Sequence, residues 1–194
     1  SLSELLRRRG RPLNLEMAVT AEMEAIALRH RPHAVCLVPE RREEVTTEGG
    51  LDVVGGHNRI APVVKTLREA GSRMSLFIEA DPAQIVASHA IGAQVVELHT
   101  GAYCEAVRDG HLALAEAKLA ALRDGAAQAQ TLGLEVHAGH GIDYETVGPV
   151  AAIPQVVELN IGHFLIGEAI FVGLDAAIRR MRALMDQART GAAA

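Results

Sequence analysis

Tryptophan is absent from this chain, and aromatic residues of all kinds make up 3% of it. A core without large rings has to be aliphatic, and apolar residues overall reach 49%. Val, Leu, Ile and Ala in such numbers suit a parallel sheet covered by helices, whose strands read as continuous apolar runs. Cysteine is scarce as well: Cys36 and Cys104 are the two, too few for a disulfide framework or a metal-ligand spacing. They fit a reducing compartment, with Cys36 read as a small buried hydrophobe inside an apolar run. No apolar run approaches a membrane span, and the first residues lack the basic–apolar–small order of a signal peptide. Positive charge is also short, with a formal net charge of −5 and a pI near 6.0. No basic stripe with interleaved aromatics is present, which argues against a nucleic-acid surface. The cluster Arg7, Arg8, Arg9 and Arg11 reads as a solvated helix end. A cytoplasmic protein without membrane or nucleic-acid partners is the expectation.

What the chain does have is alternation. Its 194 residues show no shift in composition that would mark a second domain. Apolar runs predict strands over residues 13–18, 33–39, 74–80, 94–100, 134–139 and 156–160. Between them lie helical patterns: 1–9 with Leu2, Leu5 and Leu6 on one face, then a helix capped by Thr20. A third covers 58–71 and closes at Gly71, and a fourth begins at Asp81-Pro82. Later helices are predicted at 113–132, 144–153, a short one from Phe164, and 174–188. The polar, Gly-containing segment 40–56 is long enough to read as a lid. Strand and helix alternating without hairpin signals imply a parallel sheet with right-handed crossovers.

Two architectures share that pattern. A doubly wound sheet carries a G-x-G-x-x-G turn after its first strand, and none occurs here. Polar groups gather instead where strands end: Glu16, Glu40, Glu79, Glu97 with His99, His140, and Asn160 with His163. That placement belongs to a TIM (β/α)8 barrel, of which residues 1–194 would form one partial domain of about six βα units.

The stretch VVELNIGHFLIGEAI, from Val156 to Ile170, runs from strand to helix through Gly162-His163. Backbone N–H groups at such a helix start attract anions, phosphate above all. Glu16 and Glu97 lie inside apolar strands, where a carboxylate is expensive unless paired or poised for chemistry. Two carboxylates facing one cavity push their titrations apart. His140 is flanked by Gly139 and Gly141, so the backbone there can approach a ligand and the imidazole can move a proton. His99, His137 and His163 invite a metal reading, but His137 and His140, three apart on a strand and turn, do not converge on one ion. His30, His57, His89 and His111 read as solvated. Three functions follow: an acid–base enzyme acting on phosphorylated substrates, a metal-dependent barrel hydrolase or isomerase, and a non-catalytic phosphosugar-binding module.

The segments LNLEMAVTAEM, CLVPERREEVTTEGGLDV, SLFIEAD, VVELHTGAY, AGHGIDY and ELNIGHFLIGEAI, taken in order, resemble the pyridoxine 5′-phosphate synthase family. The resemblance implies a barrel that condenses 1-deoxy-D-xylulose 5-phosphate with 3-amino-2-oxopropyl phosphate, releasing phosphate and water, without metal or organic cofactor. It implies that Glu16 is a catalytic base, His140 a proton donor and Glu97 the carboxylate that stabilises the transition state. Thr46 would contact the deoxyxylulose phosphate; Gly141, Gly162 and His163 would contact the amino-ketone phosphate. It also implies a homo-octamer built from dimers. Family members begin with two further βα units bearing Asn-x-Asp-His and His-x-Arg strand ends, which this sequence lacks. The chain is therefore expected to be a fragment without turnover. His137 stands where the family usually has Asn, and a changed hydrogen bond beside His140 is expected from it.

Overall fold

A computed structural model describes residues 2–40 and 49–191. The chain runs α1 (Leu2–Arg8), β1 (Asn14–Met17), α2 (Ala21–His30), β2 (Ala34–Leu37), α3 (His57–Glu69), β3 (Arg73–Ile78), α4 (Pro82–Ala90) and β4 (Val95–His99). It continues through α5 (Gly101–Arg108), α6 (Leu112–Thr131), β5 (Glu135–Gly139), α7 (Val147–Ala151), β6 (Val156–Asn160), α8 (His163–Val172) and α9 (Leu174–Gly191). All strand pairs are parallel, in the order β1-β2-β3-β4-β5-β6. A strand order that never reverses is the order of a barrel wall, whereas a doubly wound sheet reverses direction at a switch point. Among the described residues β1 and β6 are the edges of this curved sheet.

Side chains alternate across each strand, and in-register neighbours share a face. Val35, Leu37, Leu76, Ile78, Val96, Leu98, Val136 and Ala138 lie on the side covered by helices, where they pack with Ile60, Val64, Leu67, Ile85, Leu119 and Leu122. The opposite, concave side carries Glu16 beside Cys36, Phe77 beside Glu97, and His99 beside Gly139 and Asn160. This division turns one apolar-looking run into a wall with a greasy back and a polar front.

Two expected caps are present: Thr20 accepts the Met23 N–H, and Asp81 accepts those of Ala83 and Gln84. Three features go beyond the sequence reading. Residues 101–108 form a helix that the pattern did not predict, because α5 begins at a glycine and its buried face is a mixture of Gly101, Tyr103, Cys104 and Ala106. The apolar face of α1 is not covered, with Leu2 65% and Leu5 45% exposed. The segment read as a lid is in part anchored: Leu51 and Val53 are fully buried, and the Leu51 N–H bonds the Phe77 carbonyl at 2.8 Å. Its residues 41–48 lie outside the described ones.

Candidate active site

Glu97 occupies the middle of β4 with both neighbouring strands in place, and it is 4% exposed. Its Oε2 accepts the Asn160 side-chain N–H at 2.7 Å and faces the Cys36 thiol at 3.6 Å. Gly139 on β5 makes room for it, since a Cβ there would collide with Glu97 Oε1. Burial, and next the charge of Glu16, raise the Glu97 carboxyl from its ordinary value to about 7; the hydrogen bonds from Asn160 and Cys36 only partly oppose this. The Cys36 thiol is itself pushed well up, by burial and then by Glu97.

His140 follows β5 with φ 79°, a conformation that residues other than glycine seldom adopt. Gly141 follows with φ 81°, so two left-handed residues in series turn the chain sharply at the strand end. The strain is held from outside: the Thr100 hydroxyl lies 2.6 Å from the His140 carbonyl and 2.8 Å from that of Gly139. Burial, followed by the charge of His99, lowers the His140 pKa, with Glu105 and Glu16 pulling the other way. The shift favours the neutral ring, which has to take up a proton before it can donate one.

Gly162 is the N-cap of α8, and its side chain position is open, with nothing within 4 Å of a built Cβ. Its φ of −100° needs no glycine, so what the glycine leaves at this position is space. Helix geometry leaves the N–H groups of His163, Phe164 and Leu165 without intrahelical acceptors, a setting for an anion. Glu16, on the edge strand β1, is exposed. Its expected burial is corrected: among the described residues β1 pairs on one side alone.

These groups share one cleft of about 1600 Å³, lined by Glu16, Glu97, His99, His140, Gly141, Gly162 and His163 among others. Thr46 lies outside the described residues. Among the described residues no group of three or more His, Cys, Asp or Glu side chains is placed to hold a metal ion. None of their helices is long and apolar enough to cross a membrane. With this geometry in view, a family model described as "Pyridoxal phosphate biosynthesis protein PdxJ" matches residues 1–187.

The chain belongs to the PdxJ family.

Curated relatives agree with that placement. A pyridoxine 5′-phosphate synthase of Caulobacter sp. (strain K31) is 69% identical over 193 residues, covering 100% of this chain and 77% of the relative. One of Caulobacter vibrioides (strain NA1000 / CB15N) is 70% identical over 97% of this chain and 74% of its own length. One of Ruegeria pomeroyi is 64% identical over 92% of this chain and 72% of its own. Among solved structures, an HpcH/Hpal aldolase/citrate lyase family protein from Burkholderia cenocepacia J2315 superposes with a TM-score of 0.55. It is 16% identical and is matched over 97% of this chain and 81% of its own, a likeness of fold alone.

Six of the seven residues singled out from the PdxJ motifs thus fall on one cleft. The partners of Glu97 were not readable from the sequence. Cys36 and Asn160, 61 and 63 residues from Glu97 along the chain, meet its carboxylate only through strand pairing. The ring nitrogens of His137 face Glu135 at 2.8 Å and Glu158 at 3.4 Å on the concave side, and Arg73 pairs with Glu135. Arg73 is the first cause that holds the Glu135 carboxyl below its ordinary range.

Proposed function

We propose that this chain carries the chemistry of a pyridoxine 5′-phosphate synthase, condensing 1-deoxy-D-xylulose 5-phosphate with 3-amino-2-oxopropyl phosphate to form the pyridine ring. The observation that carries the reading is the convergence of Glu16, Glu97, His140, Gly141, Gly162 and His163 on one cleft. Imine formation, enolisation and dehydration each move protons, so the site needs groups whose affinities for a proton differ. Glu16, exposed at the edge, is the base. Glu97, part-ionised near neutral pH, places negative charge beside the iminium that develops in the reaction. His140 enters neutral, takes a proton and returns it to a leaving group. The α8 N-terminus with Gly162 and His163 receives one phosphoryl group, and Thr46 serves the other. No metal or organic cofactor takes part in this reading.

The test uses the complete product of the reading frame, incubated with both substrates and excess chelator. Pyridoxine 5′-phosphate and inorganic phosphate are expected in equal amounts. Glu16→Gln is expected to lose turnover by about 10²-fold or more while keeping substrate affinity. No product from the wild-type protein, or activity that chelation abolishes, would refute the reading.

Finer features belong to the same proposal. The curved sheet is part of a (β/α)8 barrel in one domain. Assembly as a homo-octamer is supported by the apolar surface of α8, where Ile166, Ile170 and Phe171 are 61%, 78% and 85% exposed. Two buried free thiols, Cys36 and Cys104, support a reducing, cytoplasmic setting.

A further inference from the structure

Next to His140 stands a second imidazole to which no task has been given. His99 closes β4, and its Nδ1 lies 2.9 Å from Glu79 Oε1 at the end of β3. Both side chains are largely buried, 7% and 13% exposed. The same Glu79 oxygen accepts the Gly50 N–H at 2.9 Å, which fixes the carboxylate from a second direction. A carboxylate accepts, so Nδ1 carries the hydrogen and Nε2 of the neutral ring is left as an acceptor.

Where that acceptor points is marked by Gly101. A Cβ built there would stand 2.6 Å from His99 Nε2 and 3.1 Å from His140 Cδ2. The two imidazole rings are 4.9 Å apart, and Phe77 meets His99 edge-on at 5.0 Å. Both rings line the cleft that holds Glu16 and Glu97. The outer nitrogen stands where any side chain larger than glycine at position 101 would crowd it, and His99 and Gly101 both line the cleft. The arrangement is that of a base with its orienting carboxylate.

We propose that His99, oriented by Glu79, is a second acid–base residue of this site, exchanging protons with bound substrate through Nε2 alongside His140. The proposal rests on the synthase reading given above. In the dehydration, a proton leaves carbon for His99 Nε2 and its C–H electron pair forms the new double bond. The hydroxyl on the adjacent carbon departs with the proton from Nε2–H, so water is released and the ring returns neutral. Nδ1–H stays on Glu79 throughout. Two imidazoles in one cleft, one backed by a carboxylate and one not, stand in different surroundings and can take different tasks. The charge of His99 is also among the causes that lower His140, along with His163, while Glu105 on α5 and Glu16 on β1 oppose it.

His99→Asn separates the roles, because its side-chain amide still donates to Glu79 but nothing replaces Nε2. In the complete gene product this variant is expected to lose about 10²-fold in kcat, with KM changed less than about threefold and an unaltered urea midpoint. Glu79→Gln, which still accepts both hydrogen bonds, is expected to lose about tenfold and to shift one limb of the pH–rate profile. In 15N-labelled chain, His140 is expected to titrate at higher pH once His99 is replaced by Asn. Wild-type kcat in His99→Asn, a loss confined to KM, a loss matched by unfolding, or an unmoved His140 titration would each overturn the inference. A wild-type protein that forms no pyridoxine 5′-phosphate would instead refute the reading on which it rests, so the two failures are distinguishable.

Discussion

Glu97 sits where a carboxylate is least at home, mid-strand between two paired neighbours, and it is kept there by Asn160 and Cys36. Its folded pKa, about 7, lies above the ordinary 4.5. Below pH 4.5 both folded and unfolded chains hold this proton, and its contribution to stability is fully present. As pH rises through 4.5 to about 7, the unfolded chain releases the proton first and stability is lost. The full loss is about 3 kcal/mol. Urea unfolding at pH 5 and pH 8 is expected to show wild type weakening by up to that amount relative to Glu97→Gln. Parallel pH dependences in the two proteins would exclude a shifted Glu97. Glu16 and Glu97 stood out as polar residues in apolar runs and His140 as a histidine between glycines, and all three line the cleft. Their exposures were not, because Glu16 and Glu97 occupy similar strand patterns and differ only in how many strands flank them.

Elements were legible wherever a local signal marks their ends. Asp81-Pro82 starts α4, and Asp81 Oδ1 accepts two backbone N–H groups at 2.9 and 3.1 Å. The cap has a second duty. It orients Gln84, whose side-chain oxygen takes the Val53 and Val54 N–H groups and so pins residues 51–55 to the helix. Asp81→Ala is expected to lower stability by about 1 kcal/mol. The urea midpoint checks this, and faster amide exchange at Val53 would show the second duty. A midpoint within error of wild type would mean the cap is not used. α5 had no such signal: Thr100, at its N-cap position, spends its hydroxyl on the Gly139 and His140 carbonyls rather than on the helix. The side chain that could have announced the helix is occupied by the strained turn at the site.

For the molecule as a whole, the decisive feature is that the sheet has two edges. β1 presents Glu16 and β6 presents Val157, 64% exposed, to open space among the described residues. Open strand edges beside the cleft admit water, which would compete for the imine and enamine intermediates of the proposed reaction. The relatives are matched by this chain over 72–77% of their own length.

Alternation of apolar runs with helical patterns determined a parallel sheet, polar residues at the strand ends pointed to a barrel wall, and the order of the motifs carried the resemblance to a family. All of these depend on periodicity and motif order, which are properties of neighbours along the chain. Only the tertiary structure decided that Cys36 and Asn160 meet Glu97, that His137 turns to Glu135 and Glu158, and that His99 stands backed by Glu79 beside His140. Apart from Glu135, two positions from His137, these partners lie 20 to 63 positions apart and are brought together by strand register and sheet curvature, which leave no mark on the residues between them.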